Sequence, residues 1–218
     1  NNNNFYSNEA KAVKKKYGKF VIFATQLTLL NNHLIKDIFK FFRSRKNVQD
    51  KNLNFFEALH EFEVAIEKKW KKFLIDFPKK NPGIKILIKP HPVENRQYWV
   101  KLLKKIGCKN LILASEEFST NSYLIASEFN VGSNCHTTLE SYILGKPSIN
   151  LRAKKKDSIY VSKLIRAVAS KDILNIEQLD KLIRDWFYKK KKFSFKLPKK
   201  KKIILNKNVK NINKESFY

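Results

Sequence analysis

The chain reads as a doubly wound α/β domain on a parallel sheet, followed by a helical, lysine-rich C-terminal tail. Short β-branched and aromatic runs alternate with amphipathic stretches over short connections, the pattern of a parallel sheet covered on both faces. The chain also has 218 residues with 43% hydrophobic content, enough to bury a sizeable core. Five Gly and six Pro exclude collagen-like and low-complexity classes, and the apolar content excludes wholesale disorder. Its longest apolar runs fall far short of the roughly 18 to 20 residues of a bilayer-spanning helix, so no transmembrane segment is predicted.

Residues 19–25 (KFVIFAT) have the composition of a buried strand, with a loop opening at Thr25-Gln26. Across 55–77, Phe55, Leu59, Phe62, Ile66, Trp70, Phe73 and Phe77 recur at spacings of three and four, the stripe of a long amphipathic helix. Pro78 and the Asn81-Pro82-Gly83 turn are expected to end it. Residues 84–89 (IKILIK) form the next strand, stopped by Pro90 and Pro92, which cannot donate to a ladder. A helix over 95–106 stops at Gly107. The alternation continues with a strand at 110–114, a short helix at 121–126 and a strand at 128–131. A helix at 136–144 is closed by Gly145, and a strand follows at 147–151. Residues 158–169 and 176–188 read as helices.

Three regions follow from this reading: 1–18, the end of an inter-domain linker or of a missing N-terminal domain; 19–170, a ligand-binding domain; and 171–218, a helix with a basic tail. With no Met and an opening run of four Asn, the chain is expected to be a fragment or a processed product. Cys108 and Cys135 make neither a disulfide framework nor a metal-ligand spacing, so a reducing cytoplasmic setting is expected. Cys135 itself reads as a small packing residue, and Trp70 and Trp99 as core.

A net charge of +27 invites a nucleic-acid reading. Lys far outnumbers Arg, however, and Asn, Ile and Phe are abundant, so part of the charge follows from coding bias. Neither an RNP-like run, nor zinc spacing, nor a helix-turn-helix accompanies it. What stands apart is residues 187–218, where twelve Lys meet one acid, Glu215. There Lys189 to Lys192 and Lys199 to Lys202 bracket Phe193-Ser194-Phe195-Lys196-Leu197-Pro198, a segment suited to resting on an anionic membrane surface.

Ligands of open parallel sheets bind outside the carboxyl ends of the strands. Two polar stretches fall there. Lys89-Pro90-His91-Pro92 follows a strand, and its prolines fix an imidazole that can donate to a phosphate or move a proton. Gly132-Ser133-Asn134-Cys135-His136-Thr137-Thr138-Leu139-Glu140 is a strand-to-helix turn crowded with hydroxyl and amide groups, where a helix start favours an anion. The simpler role of this turn is a capping box, Glu140 lying three residues after Thr137. His33 is a weaker ligand candidate, and His60 lies on the flank of the long stripe.

KPHP followed by NRQYW, with the later Ser133-x-Cys135-x-Thr137-x-x-Glu140-Ser141-Tyr142-x-Leu144-Gly145-Lys146-Pro147, resembles the bacterial surface carbohydrate biosynthesis proteins. Those are similar to GT-B glycosyltransferases, to CDP-glycerol glycerophosphotransferases and to non-hydrolysing UDP-N-acetylglucosamine 2-epimerases. The resemblance is strongest over 84–150 and extends weakly back to Tyr17. The family pattern has His-Asn-Gly where this chain has Gly132-Ser133-Asn134. A GT-B enzyme has two Rossmann-like domains, of which this chain would supply the C-terminal, donor-binding one.

The resemblance implies a catalytic role for His91. It implies a nucleotide-sugar diphosphate held by His91, Ser133 and His136 with Thr137, and a ribose held by Glu140. Lys89, Asn134 and Thr138 complete the implied ligand-binding set. The expected activity is transfer of a sugar or sugar-like group in surface polysaccharide or glycolipid synthesis, with epimerase or glycerophosphotransferase activity on the same donors as alternatives. No DxD motif is present, so no metal is expected. The expected partners are a nucleotide-sugar donor, a glycan or lipid-linked acceptor, a missing N-terminal domain and, through the tail, the inner face of the cytoplasmic membrane. A basic nucleic-acid-binding protein is the rival from another class.

Overall fold

The computed structural model describes residues 2–34, 50–154 and 162–193. Six strands, β1 (Phe20–Ala24), β2 (Lys85–Lys89), β3 (Leu111–Leu113), β4 (Asn130–Gly132), β5 (Ser148–Leu151) and β6 (Lys171–Ile173), form one sheet. Its order is β3-β2-β1-β4-β5-β6 and every pairing is parallel. This is the Rossmann-like doubly wound arrangement. Among the described residues, seven helices accompany the strands: α1 (Asn2–Tyr17), α2 (Asp50–Lys80), α3 (Arg96–Ile106), α4 (Thr120–Ala126), α5 (Thr137–Ile143), α6 (Lys163–Val168) and α7 (Ile176–Phe187).

The two-residue period of β1 divides the core. Val21 and Phe23 face α2, α3 and α7, packing with Ile66, Trp70, Phe73, Trp99, Leu179 and Ile183. Phe20 and Ile22 face the opposite layer, with Val13 and Tyr17 of α1 and Tyr123 and Leu124 of α4. Every residue of β1 is buried, because helices cover both faces of the central strand. Phe23 and Phe73 stack at 5.4 Å, and Trp70 and Trp99 meet at 6.4 Å. Burying side chains of this size contributes roughly 1.5 to 3 kcal/mol each.

Residues 2–17, expected as a linker or a remnant of another domain, form α1 and pack into this domain. Glu9 fastens that helix: its carboxylate accepts from the Ser119 N–H at 3.2 Å, the Ser119 hydroxyl at 2.5 Å and the Ser122 hydroxyl. Pro78 does not end α2, which runs on to Lys80. A proline in the last turn forfeits a single helical bond, and Asn81 N–H still reaches the Phe77 carbonyl at 3.0 Å. The Pro78 carbonyl accepts from the Asn110 side chain at 3.1 Å. Of the helix expected over 158–169, Lys163–Val168 form α6, capped by the extended Ser162, whose side chain accepts from Ile165 N–H; residues 155–161 lie outside the described residues.

Strand β6 was not expected. It is a three-residue edge whose first residue, Lys171, is exposed, so it carries no apolar run. Helix α2 is long for its neighbours: 31 residues span about 46 Å. Its buried apolar side chains from Phe62 to Phe77 belong to the core beneath the sheet.

Residues 194–218, with most of the basic tail, lie outside the described residues. Phe193 belongs to the core: its ring lies 4.6 Å from Trp186 and 5.1 Å from Phe129. Phe193, the first residue of the segment expected on an anionic membrane, is packed in this trio, and the rest of that segment lies outside the described residues. Among the described residues, no helix is long and apolar enough to cross a bilayer.

Candidate functional site

The strand order reverses between β1 and β4, and ligands of such sheets occupy the crevice where connections diverge to either side. Three loops meet there: those following β1, β2 and β4.

One buried carboxylate ties the first two loops together, and a second ties the first loop to α2. Glu94, 4% exposed, accepts from the Thr25 hydroxyl at 2.7 Å and from the Leu27 and His91 N–H groups, each at 3.1 Å. Its second oxygen accepts from the Trp99 indole at 2.8 Å. Glu63 of α2, 1% exposed, accepts from the Thr28 N–H and hydroxyl at 2.9 and 3.0 Å. It also accepts from Leu29 N–H at 2.9 Å and Leu30 N–H at 2.8 Å. Burial raises the Glu63 pKa, against the lowering effect of these bonds.

Consecutive N–H groups after a first strand ordinarily cradle a ligand anion. Here the protein's own carboxylates take them. An incoming anion is therefore left the β2 and β4 loops.

On the β2 loop, His91 is half-buried. Val93 N–H donates to its Nδ1 at 3.3 Å, which assigns the neutral proton to Nε2. Burial lowers its pKa and His136 adds to the lowering, while Glu94 opposes it. His91 thus carries an Nε2–H donor at neutral pH, within electrostatic reach of His136. Lys89, at the end of β2, places its ammonium 5.6 Å from the centre of the Tyr123 ring. Burial and the Arg96 charge lower its pKa, against Glu116 and Glu9. Lys89, His91, Arg96 and Glu116 line a cavity of about 200 Å³ beside the loop.

On the β4 loop, most of the polar atoms hold the turn itself. Ser133 donates its hydroxyl to the Leu151 carbonyl at 2.6 Å. Asn134, at φ 52°, donates its N–H to the Asn150 side chain and accepts Ser162 N–H, both at 2.8 Å. Asn150 in turn donates to Asp172 at 2.8 Å, and Arg166 pairs with Asp172 at 3.0 Å. Thr137 donates its hydroxyl to Cys135 Sγ at 3.1 Å and accepts from the Asn130 amide at 3.1 Å. Cys135 is 3% exposed and burial pushes its thiol pKa up, which suits packing rather than nucleophilic attack. The turn closes tightly enough that a Cβ on Gly132 would lie 3.3 Å from Cys135 Cβ and 3.4 Å from Thr138 Oγ1. Thr138 Oγ1 is fully buried without a hydrogen-bond partner.

The capping box is absent: His136 is the N-cap of α5, in helical geometry and without a side-chain cap bond. Among the described residues, no donor reaches the half-buried Glu140 carboxylate. Burial raises its pKa, against the effect of His136.

His91 lies on the loop after β2, and His136 and Glu140 at the start of α5, on the two sides of β1 at the switch point; among the described residues, His91 Nε2 and the Glu140 carboxylate are uncommitted. Ser133, Asn134 and Thr137 serve the turn, and Lys89 sits over the Tyr123 ring while lining the same small cavity as His91. His33 is a bracing residue, its N–H donating to the Val93 carbonyl at 3.0 Å. Glu63 and Glu94 escaped the sequence reading. Their signals were an acid beside Phe62 on an apolar stripe and an acid three residues after His91. Neither a family model nor a curated protein matches the chain, so the resemblance described above stands on its quoted residues alone.

Proposed function

We propose that this chain is the donor-binding half of a transferase that moves a sugar or sugar-like group from a nucleotide donor, as in surface polysaccharide or glycolipid synthesis. The observation that carries the reading is the placement of His91 and His136 on the loops after β2 and β4, which flank β1 where the strand order reverses. Nucleotide ligands favour that position in doubly wound sheets. The filled N–H cradle after β1 adds support, because it directs the diphosphate toward these two imidazoles.

In this reading His91 Nε2–H donates to a diphosphate oxygen, and His136 supplies a second donor. As an acceptor hydroxyl attacks the anomeric carbon and the bond to the diphosphate breaks, both imidazoles stabilise the growing negative charge on the leaving group. Glu140, lacking a donor of its own, accepts the ribose hydroxyls. The acceptor and the base that deprotonates it would come from another domain.

Titration calorimetry with UDP, CDP and GDP tests the reading. Binding of at least one, weakened by His91→Ala and by His136→Ala, is the expected result. Failure of all three to bind would remove the donor-site assignment. Epimerase chemistry on the same donors would show as sugar inversion without any acceptor.

A further inference from the structure

A second groove opens at the opposite, amino-terminal edge of the sheet. It lies between α1, the end of α7 and the turns entering β4 and β5, with a volume of about 690 Å³. Pockets for small ligands fall in the range of roughly 300 to 1,000 Å³.

Its charge is one-sided. Lys11, Lys14, Lys146 and Lys192 line it, against the single carboxylate of Glu128. That carboxylate is already engaged, accepting from the Trp186 indole at 3.1 Å and from Lys14 at 3.4 Å. Lys146 is half-buried, and among the described residues no acceptor reaches its ammonium. Burial lowers its pKa, and Lys14 and Lys192 lower it further, while Glu128 opposes them. A half-buried ammonium facing two like charges is stabilised by an added anion more than by any rearrangement of its own neighbours.

The groove also has an apolar side. Trp186 and Phe193 line it, with Lys192 Nζ 5.7 Å from the centre of the Trp186 ring. Cations on one side and aromatic rings on the other suit a molecule with an anionic head and an apolar body.

We propose that this groove binds a phosphate-headed amphiphile, with the phosphate on Lys11, Lys14 and Lys146 and the apolar body against Trp186 and Phe193. The site is independent of the donor reading, since it lies across the sheet from His91. The same chemistry is available in a bilayer headgroup and in a soluble phosphorylated molecule with a short apolar chain.

The test uses the full chain and tryptophan emission. Trp70 and Trp99 are sealed in the core, so a change on ligand addition reports Trp186. Short-chain phosphatidate below its micelle concentration is the soluble probe. Vesicles of phosphatidylcholine with and without phosphatidylglycerol are the bilayer probe. Phosphatidate binding is expected to weaken about tenfold in Lys146→Gln and about as much in Lys11→Gln, the loss of one charge-assisted contact each. Lys11 is exposed on α1, so its variant carries the test if Lys146→Gln melts early. Lys163→Gln, distant on α6, is expected to bind as the parent does.

Vesicle binding that needs phosphatidylglycerol and falls in the groove variants assigns the ligand to a bilayer. Phosphatidate binding without vesicle binding assigns it to a soluble molecule. Any of four results overturns the proposal: no binding of either probe, equal loss in Lys163→Gln, equal binding of phosphatidylcholine, or inorganic phosphate binding as tightly as phosphatidate.

Discussion

Glu94 accepts the Thr25 hydroxyl at 2.7 Å, joining the loop after β1 to the loop after β2 through one buried carboxylate. Four donors converge on it, so both oxygens are needed as acceptors. Glu94→Gln turns one oxygen into an amide donor that faces a donor. A loss of about 1 to 3 kcal/mol is expected, read as a lower denaturant midpoint. An unchanged midpoint would mean that these bonds are dispensable.

Glu140→Gln separates ribose recognition from helix capping. With no donor on its carboxylate and its pKa raised by burial, the substitution is expected to leave the melting temperature unchanged or higher. Affinity for a nucleoside diphosphate should fall while affinity for inorganic pyrophosphate holds. A parallel fall in both ligands would move Glu140 away from the ribose.

The His91 pKa lies below the usual histidine value through burial and the His136 charge. Bound diphosphate favours the imidazolium, so the folded, liganded protein takes up a proton. Affinity is therefore expected to rise as pH falls toward the lowered His91 value and to level off below it, and this rise should vanish in His91→Gln. Calorimetry in buffers of different ionisation enthalpy reads the proton uptake directly; none would place His91 away from the phosphate.

Asp185 titrates at about 2, held down by hydrogen bonds from Lys181 and Lys189. Its folded value is depressed, so its contribution to stability is full above the unfolded aspartate value of about 3.9 and is lost as pH falls toward about 2. Asp185→Asn should flatten that part of the acid-unfolding curve while changing little at neutral pH beyond a constant offset. An unaltered acid limb would show that the two lysines do not act on it.

Much of the sheet was legible because its strands carry dense apolar runs: FVIFA is buried throughout, and KILIK at Ile86, Leu87 and Ile88. Helix α3 was equally readable, from the Asn95 cap that accepts Gln97 N–H to Gly107 at φ 69°. Strand β6 was illegible because Lys-Asp-Ile carries no apolar run, and the bond from the Asn150 side chain to Asp172 that joins it to β5 shows only once the register is known. The β4 loop showed a different limit. Composition marked Ser133, Asn134 and Thr137 as polar residues at a strand end, but not whether those atoms point to a ligand or back to Leu151, Asn150 and Cys135. Glu63 and Glu94 were hidden for the converse reason, because a charged residue reads as surface until its donors are located.

Glu63 makes helix α2 and the mouth of the switch-point crevice a single unit. Its carboxylate holds three successive N–H groups of the loop after β1, so residues 28–30 cannot shift without moving the helix or breaking those bonds. The position of that lip of the crevice is therefore set by the packing of Ile66, Trp70 and Phe73 further along the same helix, and not by the loop's own sequence.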